Sequence, residues 1–447
     1  MNTLVNTHSS NHKSAGVFLL LIGLFFSTGV DAQIWTLQQC LDTAKQQNKN
    51  ILIARNNIEI GQQKVQEAKA NLIPKLSING DYKYFIELPY QFMPQSAFGG
   101  PEGQFKEVQF GVPHNINANL QLTIPLFNPQ VHGIIQTTKI ASELNSLLYQ
   151  KSEEQILYEV TNLYYNAQIL HYQVAFIDEN LINANKLLKN IQLLKDQLLA
   201  RGTDVSKVQL QMEQLTTLHE QIISKYTQVL NALKITIGIP VDQGLDVDPD
   251  IIHSATIEYT QASALDMRLV TKQNALLNSE LNTLKNSRLP SLSLYGSYGT
   301  TGFGYNKAPN EFLKFYPVSF LGVQLSYPLF MGTTTNRKVS QKKLEIGNND
   351  LQFSLLTELT ALGIETAKQQ RAVAQRSVET TLRQTALAQS IYDQTLLQQK
   401  QGLASLTDVL LADNTLRETQ QNHLSALVDY LKADLDLRKS TGNLLNK

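Results

Sequence analysis

The sequence predicts a mainly α-helical chain with a membrane-spanning β portion, and three observations carry that expectation. Two regions alternate apolar and polar residues with the period of two that marks a strand. Elsewhere, apolar residues recur every 3.5 residues over stretches far longer than a globular helix. The same order of elements also occurs twice. Two internal structural repeats are therefore expected, residues 33–245 and residues 246–447, each with a helix, two strands, a long helix and a shorter helix.

Only 17% of the 447 residues are charged and the formal net charge is zero, so no basic excess points to nucleic acid. Amides stand in for charge, as in Gln46-Gln47-Asn48 and Gln398-Gln399-Lys400-Gln401, which suits long helices wetted on a broad face.

Residues 1–32 read as a secretory signal peptide. Lys13 supplies the positive start, Val17 to Phe26 a short apolar core, and Val30-Asp31-Ala32 a small-residue cleavage site before Gln33. The alternative is an uncleaved anchor. The sole cysteine, Cys40, lies too far from the apolar core for a lipoprotein signal, so no lipid anchor is expected. A single cysteine also excludes an intrachain disulfide and a thiolate metal cluster. No later run approaches eighteen apolar residues, so no transmembrane helix is expected.

Residues 36–71 carry a helical pattern that Pro74 ends. The first membrane β segment covers about residues 75–127. Leu76, Ile78, Gly80, Tyr82 and Tyr84 alternate with Ser77, Asn79, Asp81 and Lys83, then Ile116, Ala118, Leu120 and Leu122 with Asn117, Asn119 and Gln121. These runs approach the ~10 residues that cross a bilayer on a tilted strand. Residues 89–113 between them read as an exposed loop.

A helix of about 70 residues follows, over residues 129–200. Ile156, Val160, Leu163, Ala167, Leu170, Val174, Ile177, Leu181, Ala184, Leu188 and Ile191 form its packing seam. Arg201-Gly202 reads as a glycine stop, and a second helix is expected over residues 206–237. The second repeat has a helix over residues 263–287 and strands over 291–300 and 318–329, inside a second membrane segment of about residues 290–330. Its long helix, residues 333–400, has a less regular seam of Leu344, Leu351, Leu355, Leu359, Leu362, Val373, Leu382, Leu387 and Ile391. Gly402 breaks it, and a last helix runs over residues 405–441.

In each half the two short helices together contain roughly as many residues as the long one. This predicts a tall wall of alternating continuous and broken helices. Four strands cannot close a barrel, and lipid does not tolerate an open sheet edge. If the strands span, several copies of the chain must share one barrel. Tyr82, Tyr84, Tyr90, Tyr298 and Tyr327 are candidates for aromatic girdles at the membrane faces; the alternative is cross-strand packing in a soluble sheet.

Three stretches carry a family resemblance over essentially the whole mature chain: the start Trp35-Thr36-Leu37-Gln38-Gln39-Cys40-Leu41-Asp42-Thr43-Ala44 with Asn48; the strand ends Ile124-Pro125-Leu126-Phe127 and Tyr327-Pro328-Leu329-Phe330; and the turn Gly402-Leu403-Ala404-Ser405-Leu406-Thr407-Asp408-Val409-Leu410. In this order the chain resembles the TolC-like outer-membrane efflux protein family. The resemblance implies a homotrimer in the outer membrane, with a twelve-stranded β-barrel to which each chain gives four strands, above a periplasmic α-barrel of antiparallel coiled-coil helices. It implies the passive exit duct of a tripartite efflux pump or type I secretion system. The partners would be outer-membrane lipid, a periplasmic adaptor and, through it, an inner-membrane transporter of RND or ABC type.

The resemblance further implies a gate at the lower end, with Asp408 matching one gate aspartate and Leu411 standing where a second is found. Ala404 replaces an arginine. In the first half the matching turn, counted from Gly202, is one residue shorter and puts Lys207 where the family often has aspartate. The adaptor-contact candidates are Gly202, Thr203, Asp204, Ser206, Gly402, Leu403, Ser405 and Thr407. For Asp408 the alternative is a first-turn helix carboxylate.

His114, His132, His171, His219, His253 and His423 never pair at metal-ligand spacing, and neither a nucleophile elbow nor a phosphate-binding loop is present. No metal, cofactor or enzymatic activity is expected. The rival from another class is an exported structural coiled-coil protein, an envelope spacer or adhesin.

Overall fold

The computed structural model describes residues 33–251, 259, 264–305 and 314–444. The signal-peptide reading of residues 1–32 lies outside the described residues. The chain starts with strand β1 (Gln33–Trp35) and helix α1 (Leu37–Gln47). Thr36 caps α1 reciprocally with Gln39: Gln39 N donates to Thr36 Oγ1 at 3.3 Å, and Thr36 N to Gln39 Oε1 at 2.9 Å. The expected single helix over residues 36–71 is broken at Asn48, and α2 runs from Lys49 to Ala70. The buried Asn48 accepts from Asn50 N (2.8 Å) and Ile51 N (3.1 Å) and donates to Thr236 O (2.7 Å). An asparagine that caps a helix with its own side chain competes with helix continuation.

Strand β2 (Lys75–Tyr84) is followed by the hairpin β3 (Tyr90–Pro94) and β4 (Phe105–Gln109), then by β5 (His114–Phe127). The expected loop over residues 89–113 thus contains a two-stranded element. Helix α3 (Pro129–Asp196) has 68 residues, about 100 Å, and α4 (Gly202–Ile237) has 36. Strand β6 (Leu245–Val247) pairs in parallel with β1.

The second half holds α5 (Leu265–Asn286), β7 (Ser291–Gly304), β8 (Lys314–Ser326), α6 (Thr334–Lys400, 67 residues) and α7 (Leu406–Ser440, 35 residues). Gly302, Phe303 and Gly304 continue β7, where the sequence reading ended the strand at residue 300. Length for length, α2 and α5 (22 residues each), α3 and α6, and α4 and α7 match.

The helices form a wall. On the sheet side the packed neighbours run α2–α3–α5–α6; on the far side they run α4–α3–α7–α6. Helix α3 is the inner member of both rows. Of its predicted seam, Ile156, Val160, Ala167, Ile177, Ala184, Leu188 and Ile191 are buried and the other positions half-buried. The core at mid-height packs Cys40, Ala44 and Ile51 against Val160, Tyr164, Leu233, Ile237 and Val247. Burial pushes the Cys40 thiol up to about 12, leaving a protonated, inaccessible sulfur.

The nine-residue seam read on α6 does not pack within the chain. Leu344, Leu351, Leu355, Leu359, Leu362, Val373, Leu382, Leu387 and Ile391 are all exposed. What α6 buries against its own chain includes Ile364, Ala367, Ala374 and Ala388. Small residues let α7 approach closely, while the leucines point away.

Candidate functional site: the sheet and the helical tip

Four strands form one antiparallel sheet in the order β2–β5–β7–β8, so β2 and β8 are its free edges. Directly paired residues share a face. The register pairs Leu76 with Leu122, Ile78 with Leu120 and Tyr82 with Ile116; Leu120 with Tyr298 and Ile124 with Leu294; then Leu294 with Val323 and Leu292 with Leu325. These residues make one continuous apolar face.

The opposite face carries Ser77, Asn79, Asp81 and Lys83 on β2 and Asn115, Asn117, Asn119 and Gln121 on β5. It is cross-linked by side chains: Asn117 Nδ2 donates to Asp81 Oδ2 (3.2 Å), Thr301 Oγ1 to Asn117 Oδ1 (2.9 Å) and Asn79 Nδ2 to Gln121 Oε1 (3.1 Å). On β8 this face also holds Phe320, packed edge-on against Tyr295. Alternation in the sequence therefore corresponds to a greasy face and an amide-rich face on the same sheet.

Of the tyrosines proposed as girdles, Tyr82, Tyr84 and Tyr298 lie on the apolar face, with Tyr82 and Tyr84 beside His114. Tyr90 sits in β3, outside this sheet, and Tyr327 lies just beyond the end of β8. The sequence reading puts Tyr90 in a loop, which is a hairpin strand in the structure, and Tyr327 inside a strand over residues 318–329, which ends at Ser326.

At the far end of the wall, α3 turns into α4 and α6 into α7. The two turns superimpose in register. Gln197 and Gln401 cap the long helices, followed by Leu198 and Gly402 in the left-handed region, with φ of 60° and 75°. Leu199 N donates back to Leu194 O (2.8 Å) and Leu403 N to Gln398 O (2.9 Å). The glycine stop expected at Gly202 is thus incorrect. Gly202 is the first residue of α4, and Leu198 takes the strained position. Counting from Gly202 made the first turn look one residue short. In fact both turns have the same length, Asp204 is the counterpart of Asp408, and Lys207 is the counterpart of Leu411.

Asp408 accepts from Ser405 N (2.9 Å) and Ser405 Oγ (2.7 Å), while Asp408 N donates to Ser405 Oγ (3.2 Å). The Ser405 hydroxyl and amide hold the exposed Asp408 carboxyl below its usual range. This is a capping box at the start of α7. Asp204 makes half of this arrangement at α4, its carboxyl accepting from Arg201 N at 3.1 Å while Asp204 N donates to Arg201 O at 3.0 Å. Thr203, Ser206, Leu403, Ser405 and Thr407 are exposed on the tip, as are Leu198 and Leu199. Between the two turns lies a groove of about 650 Å³ whose lining includes Ile191, Leu194, Ala200, Asp204, Leu396 and Leu406.

Two polar links above the tip escaped the sequence reading. Asp413 on α7 receives Gln211 of α4 and pairs with Arg417 at 2.8 Å; burial raises its carboxyl, and Arg417 opposes that. Higher up, Asp434 binds Arg371 Nε of α6 (2.7 Å), Arg438 Nε (2.9 Å) and Tyr259 OH (2.9 Å). In both, Asp and Arg stand four apart on α7, the one sequence signal that could have marked them. Among the described residues no group of His, Cys, Asp or Glu could hold a metal ion.

Residues 257–443 match the family model described as Outer membrane efflux protein. Among solved structures, the outer membrane protein VceC from Vibrio cholerae is 14% identical, with a TM-score of 0.72 over 91% of this chain and 96% of that one. The CmeC outer membrane channel of Campylobacter jejuni is 14% identical, with a TM-score of 0.74 over 91% and 85%. The open state of the MtrE outer membrane channel of Neisseria gonorrhoeae is 16% identical, with a TM-score of 0.71 over 91% and 89%. The search of curated proteins gave no match. The fold is therefore that of these outer membrane channels, and residues 257–443 carry the efflux-protein family match.

The family model covers the second half of the chain, and the structural likenesses extend the fold over the first. The outer-membrane location expected from the sequence agrees with both. Among the described residues no helix is long and apolar enough to cross a bilayer.

Proposed function

We propose that the protein is a passive outer-membrane exit duct built from three copies of the chain, reaching into the periplasm, and serving a tripartite efflux pump or a type I secretion system. The observation that carries this is the pair of unfinished edges. At one edge stand β2 and the helix that feeds it, α2; at the other stand β8 and the helix that follows it, α6. Strands of 10 to 14 residues are long enough to span, and a free β edge in lipid is excluded by its unpaired backbone groups.

Pairing β8 of one chain with β2 of the next closes the sheet. The same step lays the exposed leucine seam of α6 on the next chain's α2 and α4, which expose Ile53, Ile60, Leu210 and Leu218. Every continuous helix is then flanked by broken ones. Three copies give twelve strands, above the eight at which barrels begin. The amide-rich face lines the passage. The matched element lengths support two structural repeats, residues 33–245 and 246–447, after a signal peptide at residues 1–32.

At the tip, six first-turn carboxylates (Asp204 and Asp408 of each chain) gather around the threefold axis as a ring that favours cations. The exposed Leu198, Leu199 and Leu403 offer the periplasmic adaptor an apolar docking point, and an RND- or ABC-type transporter engages through it. The reading assigns no catalytic step. The spacer or adhesin alternative explains the helices but gives no role to a sheet with one greasy face. The test is conductance in planar bilayers. Purified protein inserting as discrete ohmic pores, with cation preference reduced in Asp204→Asn/Asp408→Asn, fits the duct; a bilayer left sealed contradicts it.

A further inference from the structure

The β3–β4 hairpin is absorbed by none of the roles above. Its register pairs Gln91 with Val108 and Met93 with Lys106 on one face, where Met93 and Val108 are half-buried. The other face carries Tyr90, Phe92 and Phe105, and each is more than 60% exposed. The hairpin thus turns its aromatic side outward, in a segment that contributes nothing to the four-stranded sheet.

Its place is defined by its stem. Phe85 N donates to Pro113 O (2.8 Å) and Phe110 N to Pro89 O (3.2 Å), which holds the hairpin on the outer ends of β2 and β5. Only residues 85–89 separate it from β2, so Tyr90 lies within about 20 Å of that edge strand. When β8 of a neighbouring chain closes on β2, its outer end comes to the same corner. On its apolar face that end exposes Phe315, while Tyr316, paired with Thr301, stands on the amide-rich face.

We propose that the aromatic face of the hairpin is a clasp for a second copy of this chain, lying over Phe315 of the neighbour and covering the outer end of the seam between them. The inference rests on the shared-barrel reading. The competing occupant is the membrane surface, and the residue types argue against it. Interfacial belts favour Tyr and Trp, whose polar tips reach water. On this face Tyr90 has such a tip but Phe92 and Phe105 do not, and Glu107 and Gln109 stand among them. Aromatic anchors with a polar rim are the composition of a protein–protein contact.

The test uses full-length protein in membranes, with Phe92→Cys combined with Phe315→Cys. The native Cys40 is buried and contributes no background. A short bismaleimide is expected to move most of the double-variant chains into covalent dimers and trimers, while the single variants stay monomeric on a denaturing gel. A native trimer in which this pair does not cross-link between chains overturns the clasp and leaves the shared barrel standing. A native monomer overturns both. As a second readout, Phe92→Trp is expected to escape quenching by brominated phospholipid; strong quenching would assign the face to the membrane and overturn the clasp.

Discussion

Helices α3 and α6 are nearly the same length and stand in opposite surroundings. Helix α3 buries its heptad seam inside its own chain, with Val160 and Ala167 fully covered. Helix α6 buries alanines at 367, 374 and 388 and leaves its larger apolar seam bare. Heptad periodicity says that a helix packs, and not with which chain. On the shared-barrel reading proposed above, the difference teaches that one long helix is finished by folding and the other only by assembly.

The largest expected effect attacks the anchor that α6 does have. Asp434→Ala leaves Arg371 and Arg438 facing each other with little solvent, and a loss of about 3–5 kcal/mol is expected for removing one partner of a buried pair. Thermal unfolding followed by circular dichroism reads it; an unchanged midpoint would mean that α6 is held without the cluster. The next pair separates the two helices directly. Ile156→Ala in α3 is expected to cost about 2–5 kcal/mol in the unassembled chain. Leu362→Ala in α6 is expected to cost under about 0.5 kcal/mol there, and to weaken the assembled form instead. Denaturant titration on dissociated and assembled protein distinguishes these. Equal costs in the dissociated chain would erase the contrast.

The two tip turns offer a finer version of the same contrast. Leu198 and Gly402 hold the same left-handed position, and an L side chain there costs about 1–2 kcal/mol. Leu198→Gly should therefore stabilise the tip by about 1 kcal/mol, and Gly402→Leu should destabilise it by a similar amount. Amide exchange across residues 190–210 and 394–414 would register each locally. A Leu198→Gly variant that loosens its turn would show that the exposed leucine contributes packing.

The smallest effect is a pH response. The carboxyl of Asp408 is held below its ordinary value by Ser405, so its folded form is the more acidic. The cap therefore contributes fully above the unfolded value, and its contribution is lost as pH falls through the lower folded value. Amide protection at the start of α7 should fade below about pH 4 in the wild type. In Asp408→Asn that pH dependence should vanish; fraying with the same midpoint in both would assign it to another group.

Much of the fold was legible because its signals are local and repeated. Alternation located β2, β5, β7 and β8, and the 4-3 spacing located α3. Gly402 marked its turn because glycine is the residue that a left-handed position favours. The same logic misplaced the first turn, where tertiary packing of Ile191, Val208 and Leu406 holds the tip and lets Leu198 take that position. Asn48 was visible as a residue but not as a break, since its donor reaches Thr236, 188 positions away. The hairpin at Tyr90 to Gln109 was hidden by the Pro- and Gly-rich composition around it. The site was the least legible part. Asp408 was found, but its partner Asp204 emerged only when the two turns were placed in register.

The unfinished edges of sheet and wall make the strongest claim, that one chain is a third of a barrel. The most direct measurement is the native mass of the protein extracted from outer membranes in detergent, corrected for bound detergent. The account predicts three chains, held together while the α6 seam is intact and dissociated in Leu359→Asp/Leu362→Asp with the helical content retained. A monomeric wild type, or one released from the membrane by salt without detergent, would contradict it.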